Sequence, residues 1–112
     1  MLLYEVNLEI KTVIFNDYMA WLKPHIKELL AFAGFIKADL LLDKQDEKID
    51  FKKVTVIYFI SDYKHYDNYI NNHASQMRAD ALRRFNGQFK TSSRRLLDVE
   101  GSYYSSKNAK TK

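Results

Sequence analysis

The sequence predicts an α+β fold of ferredoxin-like type, with the element order βαββαβ. Apolar residues alternate at every second position in three segments, which is the period of a half-buried strand, and a fourth strand is predicted near the end of the chain. They recur every three or four positions in two longer segments, as in an amphipathic helix. Because of the order of these segments, we expect two helices to cover one face of a four-stranded antiparallel sheet.

The first strand and the first helix have clear patterns. Gly34 is predicted to end the helix, since glycine readily adopts the left-handed conformation found at helix ends. The helix starts near Val13, and its apolar stripe runs from Phe15 to Leu29. The strand spans residues 2–10, with one apolar side made of Leu2, Tyr4, Val6, Leu8 and Ile10.

The second and third strands flank a polar turn, QDEK, at residues 45–48. The third strand, FKKVTVIYFI, is rich in the β-branched and aromatic residues that favour strands. On the second strand the residues predicted to face the helices are Ile36, Ala38, Leu40 and Leu42; on the third they are Val54, Val56, Tyr58 and Ile60.

The second helical region starts at Ser61 and Asp62, which are suited to capping a helix. Apolar and aromatic residues at helical spacing follow as far as Phe85, but three poor helix formers at residues 71–73 interrupt them. We therefore expect two helical segments that meet there. A fourth strand at residues 89–97 completes a single domain of residues 1–97, and residues 98–112 are predicted to be a flexible tail.

Composition excludes several classes of protein. The chain has no cysteine, so it has neither a disulfide framework nor a thiolate zinc site. Glu5 and Glu9 rule out an apolar signal sequence at the start of the chain, and no run of residues is apolar enough to cross a membrane. With three histidines and no carboxylates at ligand spacing, we expect no metal site and no cofactor, in a cytoplasmic protein.

The face of the sheet away from the helices is also predicted to be apolar. Leu3, Leu41, Ile57 and Phe59 point to that face from three strands, two of them central. A contiguous exposed apolar patch usually marks an interface, so we expect a homodimer that packs through this face. The alternative is that these are scattered surface hydrophobic residues, which are normal in monomers.

Residues 78–95 form a basic segment in which six Lys and Arg side chains accompany a single acid, Asp80. Such a cluster suits an anionic partner, and RNA-recognition domains share the predicted topology. In those domains the first-strand aromatic is exposed, and matching LYEVNL to that pattern would bury Glu5 and expose Val6. The third strand also lacks the Gly-aromatic pattern of a base-stacking platform. Nucleic-acid binding is therefore a disfavoured alternative, supported by charge alone.

Several segments, including YEVNLEI, DYMAWLKPHIKELL, VTVIYFI and NYINNHASQMRADALRRFNGQF, resemble a family of short bacterial proteins of unknown function. That family is similar to the dimeric α+β barrel superfamily, which includes antibiotic-biosynthesis-type monooxygenases. The resemblance covers about residues 1–97. It implies a homodimer in which two sheets face each other to form a barrel. It implies no particular reaction, because no set of active-site residues carries over position by position.

His73 and three arginines are the first group of candidate ligand-binding residues. His73 lies at the helix break, and an imidazole suits proton transfer near neutral pH, which makes it a weak catalytic candidate. Arg78 follows on the same helical region. Arg94 and Arg95 are adjacent on a strand, so they must face opposite sides of the sheet. The structural alternatives are a helix cap at His73 and ion pairs at the arginines.

Trp21 and His25 form a second candidate group, because they are four residues apart on one face of the first helix. A pocket that includes Trp21 could also be lined by Tyr4, Tyr58 and Tyr66, although aromatic residues at this spacing usually belong to a core. We expect any ligand to be a small planar or anionic metabolite. A non-catalytic binding or regulatory dimer is favoured over a cofactor-independent monooxygenase, since no general base has an orienting carboxylate.

Overall fold

The structure is a computed structural model that describes residues 1–44 and 50–109. The predicted ferredoxin-like fold is confirmed, and the sheet has the order β2-β3-β1-β4 with every neighbouring pair antiparallel. The turn predicted at residues 45–48 lies outside the described residues. The strands are β1 (Leu2–Lys11), β2 (Phe35–Leu42), β3 (Phe51–Ile60) and β4 (Phe89–Asp98). The helices are α1 (Phe15–Leu29), α2 (Tyr63–Asn72), α3 (Ala74–Phe85) and the short α4 (Ser106–Ala109).

The core lies between one face of the sheet and helices α1, α2 and α3. The alternation predicted for the two central strands is confirmed there, since Ile10 and Ile60 are fully buried and Val6 packs against the core. Helix α1 buries Tyr18, Leu22, Ile26 and Leu29. Tyr18 was not part of the predicted apolar stripe, whereas Phe15, at the start of that stripe, is only partly buried. Removing this apolar surface from water is the main force that holds the helices on the sheet.

The alternation predicted for β2 is wrong at its start. The register shifts between Phe35 and Lys37, which leaves Ile36 as an extra residue in a β-bulge. Phe35 takes the buried position instead, at 8% exposure, while Ile36 is 54% exposed. Leu42, at the far end of the same edge strand, is also half exposed rather than buried. A bulge changes which side chains face the core, and the residue types in this segment do not predict it.

The predicted break in the second helical region is confirmed at His73, which ends α2 and starts α3. The backbone N–H of His73 donates to the Tyr69 carbonyl at 2.9 Å, and its own carbonyl accepts from Met77 at 3.0 Å. Asp62 is the N-cap of α2, as expected, and accepts a hydrogen bond from the backbone N–H of His65 at 3.0 Å.

The outer face is the side of the sheet away from the helices. Its side chains form rows across the four strands, because paired residues lie side by side. The apolar row consists of Leu3, Phe59 and Leu97, all half-buried. The polar rows beside it contain Glu5, Asn7, Thr55, Ser93 and Arg95, together with Ile57 on β3 and Leu41 on β2. The predicted patch is therefore apolar at one end and polar in the middle.

Candidate functional site

A cleft lies between the helix-covered face of the sheet and helices α1 and α3. It contains about 650 Å³ of space, including the open solvent at its mouth. Side chains from β1, β3 and β4 form the floor, and side chains of α1 and α3, together with Tyr69 of α2, form the walls. Aromatic residues dominate this lining: Tyr4, Tyr18, Trp21, Tyr58, Tyr69 and Phe89. A concave, apolar lining with a few polar groups is typical of small-molecule sites.

The rings around the cleft are packed against one another. Tyr4 lies stacked beside Tyr58 on the neighbouring strand, with ring centroids 5.9 Å apart. On α1, Tyr18 lies 5.5 Å from Trp21, and the Trp21 ring is stacked on His25 at 4.4 Å. These contacts fix the orientation of the rings, since each one is held by a neighbour. The cleft therefore has a rigid aromatic lining, in which Tyr4, Tyr18 and Tyr58 are almost completely buried.

Three tyrosine hydroxyls in the lining of the cleft are protonated and have no acceptor among the described residues. Burial raises the pKa of Tyr58 and Tyr18, and it raises that of Tyr69 to about 12. In the part of the chain that the structure describes, no hydrogen bond joins these three hydroxyls to another residue, yet none is sealed from solvent. They can therefore donate hydrogen bonds to acceptor oxygens of a bound molecule.

Arg78 brings a positive charge to the cleft from α3. Its Nη2 atom donates to the hydroxyl oxygen of Tyr4 at 3.0 Å, and the side chain is half-buried. No carboxylate pairs with Arg78 among residues 1–44 and 50–109. Because the Tyr4 oxygen accepts from Arg78, its own proton remains available as a donor. The two side chains form a group of donors that suits an anion.

His25 and Trp21 line the wall formed by α1. Burial lowers the pKa of His25, although the nearby charges of Glu28 and Asp80 act in the opposite direction. The imidazole is therefore neutral at physiological pH. The indole Nε1 of Trp21 donates to Asp80 Oδ2 at 2.7 Å, and this hydrogen bond is the main reason that the pKa of Asp80 is lowered. The bond links α1 to α3 across the wall of the cleft.

The structure places Trp21, His25 and Arg78 in the cleft lining, but it does not bring His73 there. The His73 ring lies 4.5 Å from that of Phe32, at the junction of α2 and α3. His73 is the N-cap residue of α3, as the structural alternative expected, but its imidazole makes no capping hydrogen bond. Only the backbone of His73 takes part, through its carbonyl. The combination of His73 with Arg78, which motivated the predicted site, is therefore not present in one cavity.

The two strand arginines face opposite sides of the sheet. Arg94 lies beside Val6 on the helix-covered side, with a long 3.5 Å hydrogen bond to Thr91, a residue of the cleft lining. Arg95 lies on the outer face and holds Glu5 with two hydrogen bonds, from Nε at 2.7 Å and from Nη2 at 3.1 Å. The first of these bonds is the main reason that the pKa of Glu5 is lowered. Arg95 thus has a structural partner and lies far from the cleft.

Several basic side chains of residues 78–95 form ion pairs with acidic residues of the same chain. Asp80 accepts from both Arg83 and Arg84, the latter at 3.1 Å. Lys90 lies 3.9 Å from Glu9, and Glu5 holds Arg95. These pairs reduce the positive field that residues 78–95 present to a polyanion. The geometry therefore gives the nucleic-acid alternative no additional support.

The tyrosines are the part of the cleft that residue patterns describe least well. Tyr18 and Tyr69 both line it, but at helical spacing they look like ordinary core residues. The available signal is the density of aromatic residues on two helices and three strands that the topology brings together.

Among the described residues no three His, Asp, Glu or Cys side chains lie close enough to hold a metal ion. None of the helices described is both long and apolar enough to span a membrane.

Solved structures with the same fold include a protein that binds manganese porphyrins and two oxygenases. A mutant of MhuD with two manganese protoporphyrin IX molecules per active site aligns with a TM-score of 0.68 and 14% identity, over 94% of this chain and 100% of that one. An antibiotic biosynthesis monooxygenase aligns at 0.63 and 14%, over 90% and 100%. SnoaB, a cofactor-independent oxygenase from Streptomyces nogalater, aligns in mutant form at 0.62 and 13%, over 90% and 95%. The TM-scores establish that the fold is shared. At sequence identities this low, the likeness shows the fold alone.

No curated protein matches the chain in sequence. A family model, described as a domain of unknown function (DUF4286), matches residues 1–99. This match covers the four strands, α1, α2 and α3, and it stops where the chain leaves the sheet. The relationship to antibiotic-biosynthesis-type monooxygenases that the sequence suggested is supported by the shared fold. The chain belongs to the DUF4286 family.

Proposed function

We propose that this protein is a homodimer that binds a small, planar, anionic molecule in the cleft of each subunit. The observation that carries the proposal is Arg78. A half-buried guanidinium in an aromatic cleft needs an anion, and its partner among the described residues is the neutral hydroxyl of Tyr4. The stacked rings around it favour a flat ligand, and one protein of the same fold holds manganese porphyrins, which are large flat rings.

The homodimer part of the proposal is supported by the outer face. No helix of the described chain covers this face, and Leu3, Ile57 and Phe59 are only half-buried there. A second sheet packed on it would bury these residues and complete a barrel. The polar rows need not oppose such packing, because Glu5, Asn7, Thr55 and Ser93 already satisfy one another through hydrogen bonds.

Matched probes test the binding proposal. The single tryptophan of the chain, Trp21, lies in the cleft wall, so its fluorescence should respond when a ligand binds. We expect 2-naphthoate to quench this fluorescence and to raise the melting temperature more than the neutral amide 2-naphthamide does. Losing a charge-assisted hydrogen bond should weaken naphthoate binding by about tenfold or more in Arg78→Gln, while leaving the amide unaffected.

The control is Arg83→Gln, the same substitution on the same helix at an exposed arginine that is paired with Asp80. It should leave the preference for the carboxylate unchanged. Equal binding of acid and amide, or equal losses in the two variants, would contradict an anion site at Arg78. Protoporphyrin IX, added as a larger flat acid, tests whether the cleft accepts a ring system of that size.

A cofactor-independent oxygenase is the second candidate, and the neutral His25 favours it. An imidazole in the cleft can accept a proton from an acidic CH₂ or OH group of a bound aromatic molecule, which leaves an electron-rich anion. Reaction with O₂ would convert the CH₂ group to a carbonyl, with the second oxygen atom leaving as water. SnoaB shows that the fold supports oxygenation without a cofactor.

Oxygen consumption distinguishes this enzyme from a binding protein. Anthrone, a flat aromatic ketone with an acidic CH₂ group, is a suitable probe. An oxygenase should consume O₂ faster than a protein-free solution does, and His25→Gln should lower the rate by about 100-fold if the imidazole is the base. A rate equal to that of the protein-free solution would leave the binding function and exclude this reaction for the probe.

A further inference from the structure

A β-bulge in β4 determines which of its two neighbouring arginines faces the cleft. The register with β1 shifts between Thr91 and Ser93, which leaves Ser92 as an extra residue. In a regular strand Thr91 and Arg94 would face opposite sides of the sheet, because they are three positions apart. The bulge puts both of them on the helix-covered side instead and leaves Arg95 on the outer face. Bulges are frequent next to active sites, where they redirect a side chain.

The guanidinium of Arg94 lies at the mouth of the cleft. Its Nη2 atom is 3.5 Å from Oγ1 of Thr91, and Thr91 is part of the cleft lining. Arg94 is paired across the strands with Val6, another lining residue, and is itself exposed. Leu96, which also faces the helix-covered side, is 36% exposed, so the helices leave this part of β4 uncovered. A ligand in the cleft can therefore contact Arg94 where the cleft opens to solvent.

Arg94 differs from the other basic side chains of β4 because no acid pairs with it. Lys90 lies 3.9 Å from Glu9, and Arg95 lies 2.7 Å from Glu5. No carboxylate in the described part of the chain forms an ion pair with Arg94, and its long hydrogen bond goes to a neutral hydroxyl. Water can satisfy an exposed guanidinium, so the informative feature is its position relative to the second cation of the cleft.

That second cation, Arg78, is held at a different point of the same sheet face. Arg78 donates to the Tyr4 hydroxyl at 3.0 Å, whereas Arg94 contacts Thr91. Thr91 pairs with β1 four residues along from Tyr4, which is roughly 13 Å of strand. Both charges nevertheless act on Tyr69 in the cleft lining: burial is the main influence on its pKa and raises it, and the two arginines act in the opposite direction. The cleft thus has one cation in its lining and another at its mouth.

We propose that the molecule bound in the cleft carries two separate anionic groups, one held by Arg78 and the other by Arg94, as in an aromatic dicarboxylate. The inference rests on the proposed function and specifies the ligand class of that site. A guanidinium binds a carboxylate through two parallel N–H···O bonds, so each cation suits one carboxylate. The length of strand between the two points of contact favours groups at opposite ends of a flat molecule over one group shared by both arginines. The aromatic lining between them would contact the ring.

Two acids of nearly the same size and shape test the number of anionic groups. 2,6-Naphthalenedicarboxylate has a carboxylate at each end, and its monomethyl ester has only one. By calorimetric titration, we expect the diacid to bind the natural chain about tenfold more tightly or better than the ester, because it makes a second charge-assisted contact. Arg94→Gln should remove this preference by weakening the diacid and leaving the ester unchanged. Arg94→Lys, which keeps the charge without the planar fork, should retain part of the preference.

The control is Lys90→Gln, which removes the same charge from the outer face of the same strand and should leave the preference unchanged. Arg78→Gln should weaken both acids. Equal binding of diacid and ester by the natural chain, or equal loss of the preference in Arg94→Gln and Lys90→Gln, overturns the second anionic group. The single anion site of the proposed function stands in that case if the ester still depends on Arg78. Failure of both acids to bind overturns the two proposals together.

Discussion

At the residue scale, the properties of the cleft depend on which side chains are charged at neutral pH. Burial keeps His25 neutral and keeps Tyr58 and Tyr69 protonated, whereas Arg78 keeps its charge because a guanidinium does not lose its proton in proteins. The described lining of the cleft is consequently a neutral aromatic surface with Arg78 as its cation, and the positive charge of Arg94 lies close enough to act on Tyr18 and Tyr69. An anion would be attracted to one position within it, which orients the ligand as well as binding it.

The neutral state of His25 makes a prediction about stability and pH. Burial lowers its pKa from 6.5, so between that value and the folded-state pKa the unfolded chain binds a proton that the folded chain does not. The free energy of unfolding should therefore fall as the pH drops through 6.5. We expect His25→Phe to flatten this dependence in urea titrations between about pH 7.5 and pH 5.

Acidic groups provide an internal control for that experiment. The pKa of Glu5 is lowered, chiefly by the hydrogen bond from Arg95, so its contribution to stability is lost only as the pH falls below 4.5 towards its folded-state pKa. Glu5→Gln should change the acid side of the curve and leave the His25 region unchanged. Identical slopes for the natural protein and His25→Phe over the same pH range would show that His25 is not held neutral.

At the element scale, Gly34 joins the first helix to β2 and brings α2 close. It adopts φ = +85°, and its carbonyl accepts a hydrogen bond from Ser61 at 2.8 Å. A Cβ atom at this position would lie 2.3 Å from Cγ of His65 on α2. Glycine is therefore required here for two reasons: the left-handed backbone and the close approach of the helix.

A pair of glycine substitutions separates these two reasons. Gly87 has φ = +75°, and a Cβ atom added there would meet no other atom within 4 Å, so Gly87→Ala should cost only about 1 kcal/mol for the backbone conformation. Gly34→Ala should cost about 1–3 kcal/mol more, because α2 must move away from an atom that overlaps it. Chemical denaturation measures both. An equal loss of unfolding free energy in both variants would mean that α2 can move away from residue 34 at no measurable cost.

How much of each element could be predicted depends on whether its signal is local. The alternation in β1 and β3 continues without interruption, so the sequence predicted their buried faces correctly. In β2 the bulge at Ile36 changes the buried position at the start of the strand from Ile36 to Phe35, while Ala38 and Leu40 pack against the core as predicted. The position of the bulge depends on pairing with β3. The contact between Arg78 and Tyr4 joins residues 74 positions apart, and its existence depends on how α3 is rotated about its axis. Residue spacing therefore placed the helix break correctly, but it did not show which of the two candidate histidines lies in the same cleft as Arg78.

At the scale of the whole molecule, the outer face combines an apolar row with a polar network. Thr55 donates to Asn7 at 2.6 Å, and Asn7 donates to Ser93 at 3.0 Å and to Glu5 at 3.3 Å. Because these groups are satisfied within one chain, covering them with a second sheet would not leave unpaired polar atoms. Such a network would also favour one alignment of two sheets over others, since shifting it would place charged groups against apolar ones.

The last prediction concerns Ile57, which lies beside Glu5 and Arg95 on the outer face, in the row next to the apolar one. If two copies pack through this face, Ile57→Lys buries an unpaired charge and should weaken the dimer by about 100-fold or more. Val13→Lys, at a residue that is 86% exposed, is the matched control and should leave the dimer unchanged. Light scattering at micromolar concentration measures the mass of all three proteins. A natural chain with the mass of a monomer, or an Ile57→Lys variant that remains a dimer, would rule out assembly through this face, and the exposed apolar row would then need another explanation.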